Sequence, residues 1–383
     1  MSDLYLTEEH DMIRNTVRDF AEREIKPVAQ ELDENETFSE SITARMGELG
    51  LFGMCLPEKY GGQGMDTISY IIAVEELARV DGSHAATLAA HNSLGIEPIY
   101  KFGTEDQKQR YLPPLCTGNE LWAFGLTEPD AGSDSRGSRT TAKLQNGHWI
   151  INGSKIFITN GSADISSGVT VQAVSAVEDG KKEFSTILVK KDTPGFIRKT
   201  MHGKLMWRAS DTSELFFDDC SVPEENLLGE IGMGSKIMLQ TLDGGRLSIA
   251  AMGLGLAQGA FEMALSYAKE RKQFGQPIIK FQVNSFKLAE MAAKIDLARN
   301  YLYHVCWMKD HGKPFTKESA IAKLYCSEIA RDVADEAVQI HGGYGLMKDY
   351  AIERFYRDQR LLQIGEGTSE IQKLVISRSI GAY

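Results

Sequence analysis

The chain lacks most of the features that announce a disulfide scaffold, a metal centre or a membrane protein. Its five cysteines, Cys55, Cys116, Cys220, Cys306 and Cys326, stand singly, with no C-x-x-C pair, so no disulfide framework or dithiol motif is encoded and a reducing compartment is expected. The eight histidines include no i, i+4 pair with a glutamate between them, so a helical zinc site has no support and no metal is expected. No uninterrupted apolar run stands out as a bilayer span. Residues Met1 to Arg14 lack the basic start and apolar core of a secretion signal. The expected location is the cytoplasm, or the mitochondrial matrix once a transit peptide has been removed. A net charge of −11 with no concentrated basic patch argues against nucleic acid and membrane surfaces as partners. Glycine (36) and proline (10) are too few in 383 residues for a disordered or fibrous chain.

What is present suits two or three domains around a large core. From Thr7 to Leu32, Met12, Ile13, Val17, Phe20, Ala21, Ile25, Val28 and Leu32 follow helical spacing, with Thr7 as the N-cap. Further helices are expected over Ser39–Leu49, Thr67–Val80 and Thr104–Leu115, which makes residues 1–119 an all-α domain. Over 120–230 the pattern changes to short β-branched and aromatic runs, punctuated by Asn146-Gly147, Asn152-Gly153 and Asn160-Gly161, and this predicts a β domain with Asn-Gly turns. Helical periodicity returns over 231–383, in Ser235–Phe274, Phe281–His311, Lys317–Gln339 and Thr368–Ser379, with lengths suited to a bundle.

Two glycine patterns carry no nucleotide chemistry. Gly253, Gly255 and Gly259 have the wrong spacing for a dinucleotide loop and fall inside a helical stretch, where close helix packing explains them better. Gly229 to Lys236 inverts the Gly-Lys-Ser order of a phosphate loop. Three small-residue segments remain: Leu126 to Asp134 around Thr127-Glu128-Pro129, His341-Gly342-Gly343-Tyr344-Gly345, and Ile364-Gly365-Glu366-Gly367-Thr368-Ser369-Glu370. Small residues let a backbone approach a ligand, and Thr368 is a good N-cap with free amides behind it. Taken alone, each is an ordinary loop or cap, and together they point to a multi-domain enzyme that binds something phosphorylated.

In this order and at these distances, the three segments resemble the acyl-CoA dehydrogenase family. So do Leu56-Pro57-Glu58-Lys59-Tyr60-Gly61-Gly62, Ile158-Thr159-Asn160-Gly161, Arg271-Lys272-Gln273-Phe274-Gly275 and Val338 to Gly343, and the likeness runs from Leu6 to Ala382. It implies an α+β multi-domain protein, with an all-α N-terminal domain, a β-barrel-like middle domain and a C-terminal four-helix bundle. It also implies FAD, an acyl-CoA substrate, electron-transferring flavoprotein as acceptor, and a homotetramer.

Carried over residue by residue, the resemblance makes Thr127, Ser133, Phe157 and Thr159 contacts to the flavin, with Phe157 in place of the tryptophan common in the family. Arg271, Phe274, Gln282, Gln339 and Gly343 become contacts to the pyrophosphate and adenine, given by a neighbouring subunit, while Thr368 and Glu370 join the cofactor set. Arginine suits pyrophosphate because its planar fork makes paired charge-assisted bonds. Ser133, Asp243, Arg246, Gly365 and Gly367 are implied substrate contacts, although Asp243 and Arg246 also have the spacing of a helical ion pair. Glu366 matches the base that removes the α-proton. One branch of the family keeps its base directly before the arginine of Leu242-Asp243-Gly244-Gly245-Arg246, and this chain has Gly245 there.

Many straight-chain relatives have tyrosine before the base, where this chain has Gly365, so a short, branched or cyclic acyl group is expected. A glutaryl substrate is not, since Ala85–Gly95 has no arginine, and His91 reads as a core or loop residue. Competing readings are an oxidase, an enoyl-CoA reductase, or a flavin- or CoA-binding homologue without catalysis.

Overall fold

The computed structural model describes residues 5–383, so the first four residues of the N-terminal stretch discussed above lie outside the described residues. Seven helices come first: α1 (Glu8–Phe20), α2 (Ala29–Asn35), α3 (Glu40–Glu48), α4 (Thr67–Ala78), α5 (Gly82–Ala90), α6 (Glu97–Phe102) and α7 (Glu105–Leu115). Thr7 caps α1 as its spacing predicts, with His10 completing the reciprocal bond. The helix expected through Leu32 is instead interrupted. A wide turn at Ala21–Ile25 and the ring of Pro27, which has no N–H to donate, separate α1 from α2. Every residue of α4 is buried, because it is packed on several sides by α1, α5, α8 (Gly234–Glu270) and α9 (Gln282–Asp310).

Eight strands follow: β1 (Leu121–Gly125), β2 (Thr141–Gln145), β3 (His148–Thr159), β4 (Ser166–Glu178), β5 (Lys181–Lys190), β6 (Phe196–Thr200), β7 (Thr212–Pro223) and β8 (Leu227–Leu228). They form one mixed sheet in the order β6-β7-β3-β2-β4-β5-β8, with β1 added in parallel to β4. Of the three Asn-Gly pairs, only Asn146-Gly147 turns a hairpin, joining β2 to β3 with both residues at positive φ. Asn152-Gly153 lies inside β3, where Gly153, at φ +142°, marks a bulge against β7. Asn160 ends β3 and ties it to the helical domain, its Nδ2 donating to the Thr87 carbonyl at 3.0 Å.

The C-terminal part contains α8 (Gly234–Glu270), α9 (Gln282–Asp310), α10 (Thr316–His341), α11 (Ile352–Asp358) and α12 (Ser369–Ser379). The helix expected to reach Phe274 stops at Glu270, and the hairpin β9 (Lys272–Gln273) and β10 (Gln276–Pro277) puts Phe274 and Gly275 at its tip. α8 passes between α10 and α4. A Cβ at Gly253 would lie 2.7 Å from the Cys326 carbonyl oxygen of α10, one at Gly255 would lie 2.3 Å from that of Glu75 in α4, and one at Gly259 would lie 2.1 Å from that of Arg79. These glycines are therefore helix-packing positions. By length and composition α8 could cross a bilayer, a property its scattered glycines mask in the sequence, but 78% of its most apolar stretch is buried inside the protein.

Candidate active site

Glu366 is presented by a turn built from two consecutive left-handed residues. The amides of Ile364 and Gly365 both donate to the Leu361 carbonyl at 2.8 Å, Glu366 and Gly367 then take φ values of +51° and +90°, and Thr368 caps α12 by accepting from the Ile371 amide at 3.2 Å. A left-handed glutamate costs about 1–2 kcal/mol, so the surrounding structure must hold it there. The Gly367 carbonyl accepts from Lys323 Nζ at 2.7 Å and from Gln372 Nε2 at 2.9 Å.

The carboxylate points into α8 at its thinnest place. A Cβ on Gly245 would sit 2.0 Å from Glu366 Oε2 and 3.2 Å from Leu94 Cδ2. Glu366 as a whole is only half-buried, yet Oε2 is sealed from solvent and has no hydrogen-bond partner. Burial pushes its pKa up to about 7, against the opposing pull of Lys323 and Arg246. Arg246 is itself buried, with Nη1 bonded to Asp243 Oδ1 at 2.6 Å and Nε unpartnered. The expected Asp243–Arg246 ion pair thus forms, and its other carboxylate oxygen accepts from Thr316 at 2.9 Å. A Cβ at Gly365 would meet only Leu361, at 3.5 Å, so the position before Glu366 is open. Glu370 is exposed in the first turn of α12.

The expected flavin-ring set lies on the β domain. The Ile156 amide donates to the Thr127 carbonyl at 2.9 Å and so pins the loop after β1 beside Phe157 and Thr159. That loop is held from below by Lys155, whose buried Nζ donates to the Leu126 carbonyl at 3.1 Å and to Glu128 Oε1 at 2.7 Å. Phe157 has φ +60° and is 63% exposed, an aromatic surface left open. Ser133 is exposed in the same loop region, and Thr159 is half-buried.

The second expected set lies elsewhere. Arg271 follows α8 and its guanidinium lies 5.6 Å from the Tyr344 ring, in a groove of about 520 Å³ lined also by Tyr267, His341 and Gly343. Cβ atoms at Gly342 and Gly343 would meet nothing, so the backbone there is open to a ligand. Phe274 is 92% exposed at the hairpin tip, at φ +50°, and Gln282 and Gln339 are exposed near the ends of α9 and α10. Lys323 and His341, on one helix, are separated by about 27 Å of rise, so this set is remote from Glu366 within the chain. A larger cavity of about 710 Å³, between α9, α10 and the stretch around Arg360, is lined by mixed charges and does not include Glu366. No cluster of three or more metal-ligating side chains occurs among the described residues.

Among the described residues, Phe157, Phe274 and Glu366 are three of the five left-handed ones that are neither glycine, asparagine nor aspartate. Backbone strain therefore concentrates on positions the motifs had singled out. Sequence reasoning missed Lys323 and Lys155. Each is a lone cation in a run that is otherwise apolar or β-forming, and only that mismatch in Ala320-Ile321-Ala322-Lys323-Leu324 hinted at a buried role. His91 is a core residue: one ring nitrogen bonds the Leu115 carbonyl at 2.8 Å, and the other accepts from the Trp122 amide at 3.1 Å. Burial lowers its pKa to about 4, so it stays neutral.

A helical domain, a sheet domain and a helical bundle that carries a strained, desolvated carboxylate define the class of enzyme to which the comparisons assign this chain. Family models described as acyl-CoA dehydrogenase N-terminal, middle and C-terminal domain match residues 7–119, 123–220 and 232–381. A probable acyl-CoA dehydrogenase of Bacillus subtilis is 51% identical over 98% of each chain. A short-chain specific acyl-CoA dehydrogenase of Clostridium acetobutylicum is 47% identical over 99% of each, and an acryloyl-CoA reductase (NADH) of Anaerotignum propionicum is 44% identical over 99% of this chain and 96% of its own. Butyryl-CoA dehydrogenase of Megasphaera elsdenii superposes with a TM-score of 0.95 at 43% identity over 98% of each chain. A chain solved in work on the electron transferring flavoprotein of Acidaminococcus fermentans gives 0.95 at 45% identity over 99% of each. The chain belongs to the acyl-CoA dehydrogenase family. It is a flavin-dependent oxidoreductase of the kind that acts on carbon–carbon single bonds, and its cofactor is FAD.

Proposed function

We propose that the protein dehydrogenates a short, branched or cyclic acyl-CoA to the 2-enoyl-CoA, with Glu366 as the base that removes the α-proton. Bound FAD would supply the acceptor for the β-hydrogen, which leaves as hydride. Above all, the Glu366 carboxylate supports this: a base for a weakly acidic α-carbon needs a raised pKa and a free oxygen, and Oε2 is sealed, unpartnered and set at about 7. The Glu366 amide precedes the proton-abstracting carboxylate by only its own side chain and can polarise a thioester carbonyl held beside it. Asp243 and Arg246 would grip the pantetheine arm.

The residues present fit FAD. Phe157 offers an open aromatic face, Thr127, Ser133 and Thr159 offer hydroxyls, and the helix start capped by Thr368 carries Glu370 in its first turn. Arg271, Phe274, Gln282, Gln339 and Gly343 would hold the pyrophosphate and adenine of a neighbouring copy, since they stand remote from Glu366 in their own chain. This favours an oligomer, for which we propose a homotetramer, and each subunit is taken to divide at 1–119, 120–230 and 231–383. Electron-transferring flavoprotein is the proposed acceptor, in keeping with the setting of the Acidaminococcus relative.

The open position at Gly365 and the names of two relatives, one short-chain specific and one a butyryl-CoA dehydrogenase, favour a small acyl group. The acryloyl-CoA reductase relative keeps the reverse direction as a second reading, because the same base could return the proton. Anaerobic titration with isobutyryl-, 2-methylbutyryl-, cyclohexanecarboxyl-, butyryl- and palmitoyl-CoA should bleach the flavin with one of the first four. Preference for palmitoyl-CoA would end the small-acyl assignment. Glu366→Gln should keep FAD and ligand binding while slowing bleaching roughly a thousandfold, and undiminished bleaching would remove Glu366 as the base.

A further inference from the structure

Lys323 reaches the back of the turn that carries Glu366. It has no exposed surface, and the Gly367 carbonyl, 2.7 Å away, is its one hydrogen-bond acceptor among the described residues. That carbonyl belongs to the second of the two left-handed residues, so the bond fixes the part of the backbone that would relax most readily. Burying an ammonium group costs far more than burying a methionine of similar length, so packing does not account for a lysine here. We propose that Lys323 is a positioning residue that anchors the Glu366–Gly367 turn through the Gly367 carbonyl and whose charge favours the ionised Glu366 carboxylate.

The surrounding charges leave this task chiefly to Lys323. Arg246, the other cation felt by Glu366, is directly bonded to Asp243 on its own helix. From α4, Tyr70 is buried and pushed well above its ordinary pKa, so it stays neutral. Glu97, against Gly244, is neutralised by Lys101 at 2.7 Å and Lys309 at 3.1 Å. Glu328 of α10 and Glu370 of α12 are further charged groups felt by Lys323. Burial lowers the Lys323 pKa to about 8, with Glu366 the largest opposing influence, so the ammonium form persists at neutral pH.

The proposal takes Glu366 as the base from the functional reading, but its effect on the titration of Glu366 can be measured separately. FAD-loaded wild type, Lys323→Met and Lys323→Gln would be titrated by infrared difference spectroscopy, with the Glu366 carboxyl band identified by its loss in Glu366→Gln. The pH profile of anaerobic bleaching by butyryl-CoA would be recorded alongside. Loss of the charge should raise the Glu366 titration by about one pH unit in both variants and slow bleaching about fivefold at pH 7. Lys323→Gln, whose amide can still donate to Gly367, should keep more thermal stability than Lys323→Met and supplies the result if the latter does not fold. Superimposable Glu366 titrations, or a uniform rate loss with an unmoved pH profile, would overturn the proposal. A moved titration in an enzyme that still turns over as Glu366→Gln would instead retain Lys323's influence and discard Glu366 as the base.

Discussion

Two buried carboxylates show how differently one fold treats the same side chain. Glu75, in the middle of α4, bonds Arg299 Nε at 2.9 Å and the Tyr303 hydroxyl at 2.6 Å, with Arg14 nearby at 3.9 Å. Burial pushes its pKa up, but Arg299, Arg14 and Tyr303 together hold it below the usual carboxylate value. Glu366 is desolvated as thoroughly at Oε2 but is given no partner, and its cations act without touching it. Burial is common to both, and the presence of a direct partner separates a structural anion from one kept reactive.

Three measurements put that contrast at risk. The largest change is expected at the paired site: Glu75→Gln removes the fully buried anion that Arg299, Arg14 and Tyr303 surround, leaving half-buried Arg299 with Gln258 and Asp296, and should lower stability by about 3–5 kcal/mol, seen as a fall in denaturation midpoint. Because the Glu75 pKa is depressed, its stabilisation is present above its unfolded value and lost as pH falls, so the deficit should shrink in acid. An intact midpoint at neutral pH would mean that the network contributes little.

Next, Gly245→Ala places a methyl where Glu366 Oε2 now lies, 2.0 Å away. The carboxylate must move, and the reductive half-reaction should slow about a hundredfold with FAD still bound, in line with the cost of misplacing a catalytic group by about 1 Å. An unchanged rate would show that the carboxylate works from another position.

The smallest effect is one of linkage. The folded pKa of Glu366 is raised from 4.5 to about 7, so its neutral form stabilises the fold fully below the unfolded value, and that contribution is lost as pH rises through about 7. Glu366→Gln should therefore be more stable than wild type by on the order of 2–3 kcal/mol at pH 8 and equal to it at pH 4. Equal stability at both would mean that the carboxylate is hydrated in solution.

Element type was largely legible from the sequence because periodicity reports burial directly: the caps at Thr7 and Thr368, the helix over Thr104–Leu115 and the long C-terminal helices fall where their spacing places them. Element ends were less legible. Pro27 split the first helix, and Arg271 to Gly275 left α8 for a hairpin, although Lys269-Glu270-Arg271-Lys272 reads as continuous solvated helix. Asn152-Gly153 looked like a turn because Asn-Gly favours positive φ, and a bulge satisfies that preference equally well.

The α, β, α succession is written in the residue periods, and the family and the residues to watch are written in the spaced motifs. Tertiary structure alone decided that Glu366 and Gly245, 121 positions apart, share one space, that Lys323 stands behind the turn, and that Oε2 is left without a partner. The reason is physical: helical and strand periods are properties of neighbours along the chain, whereas desolvation and charge proximity arise only when distant segments exclude water from one another.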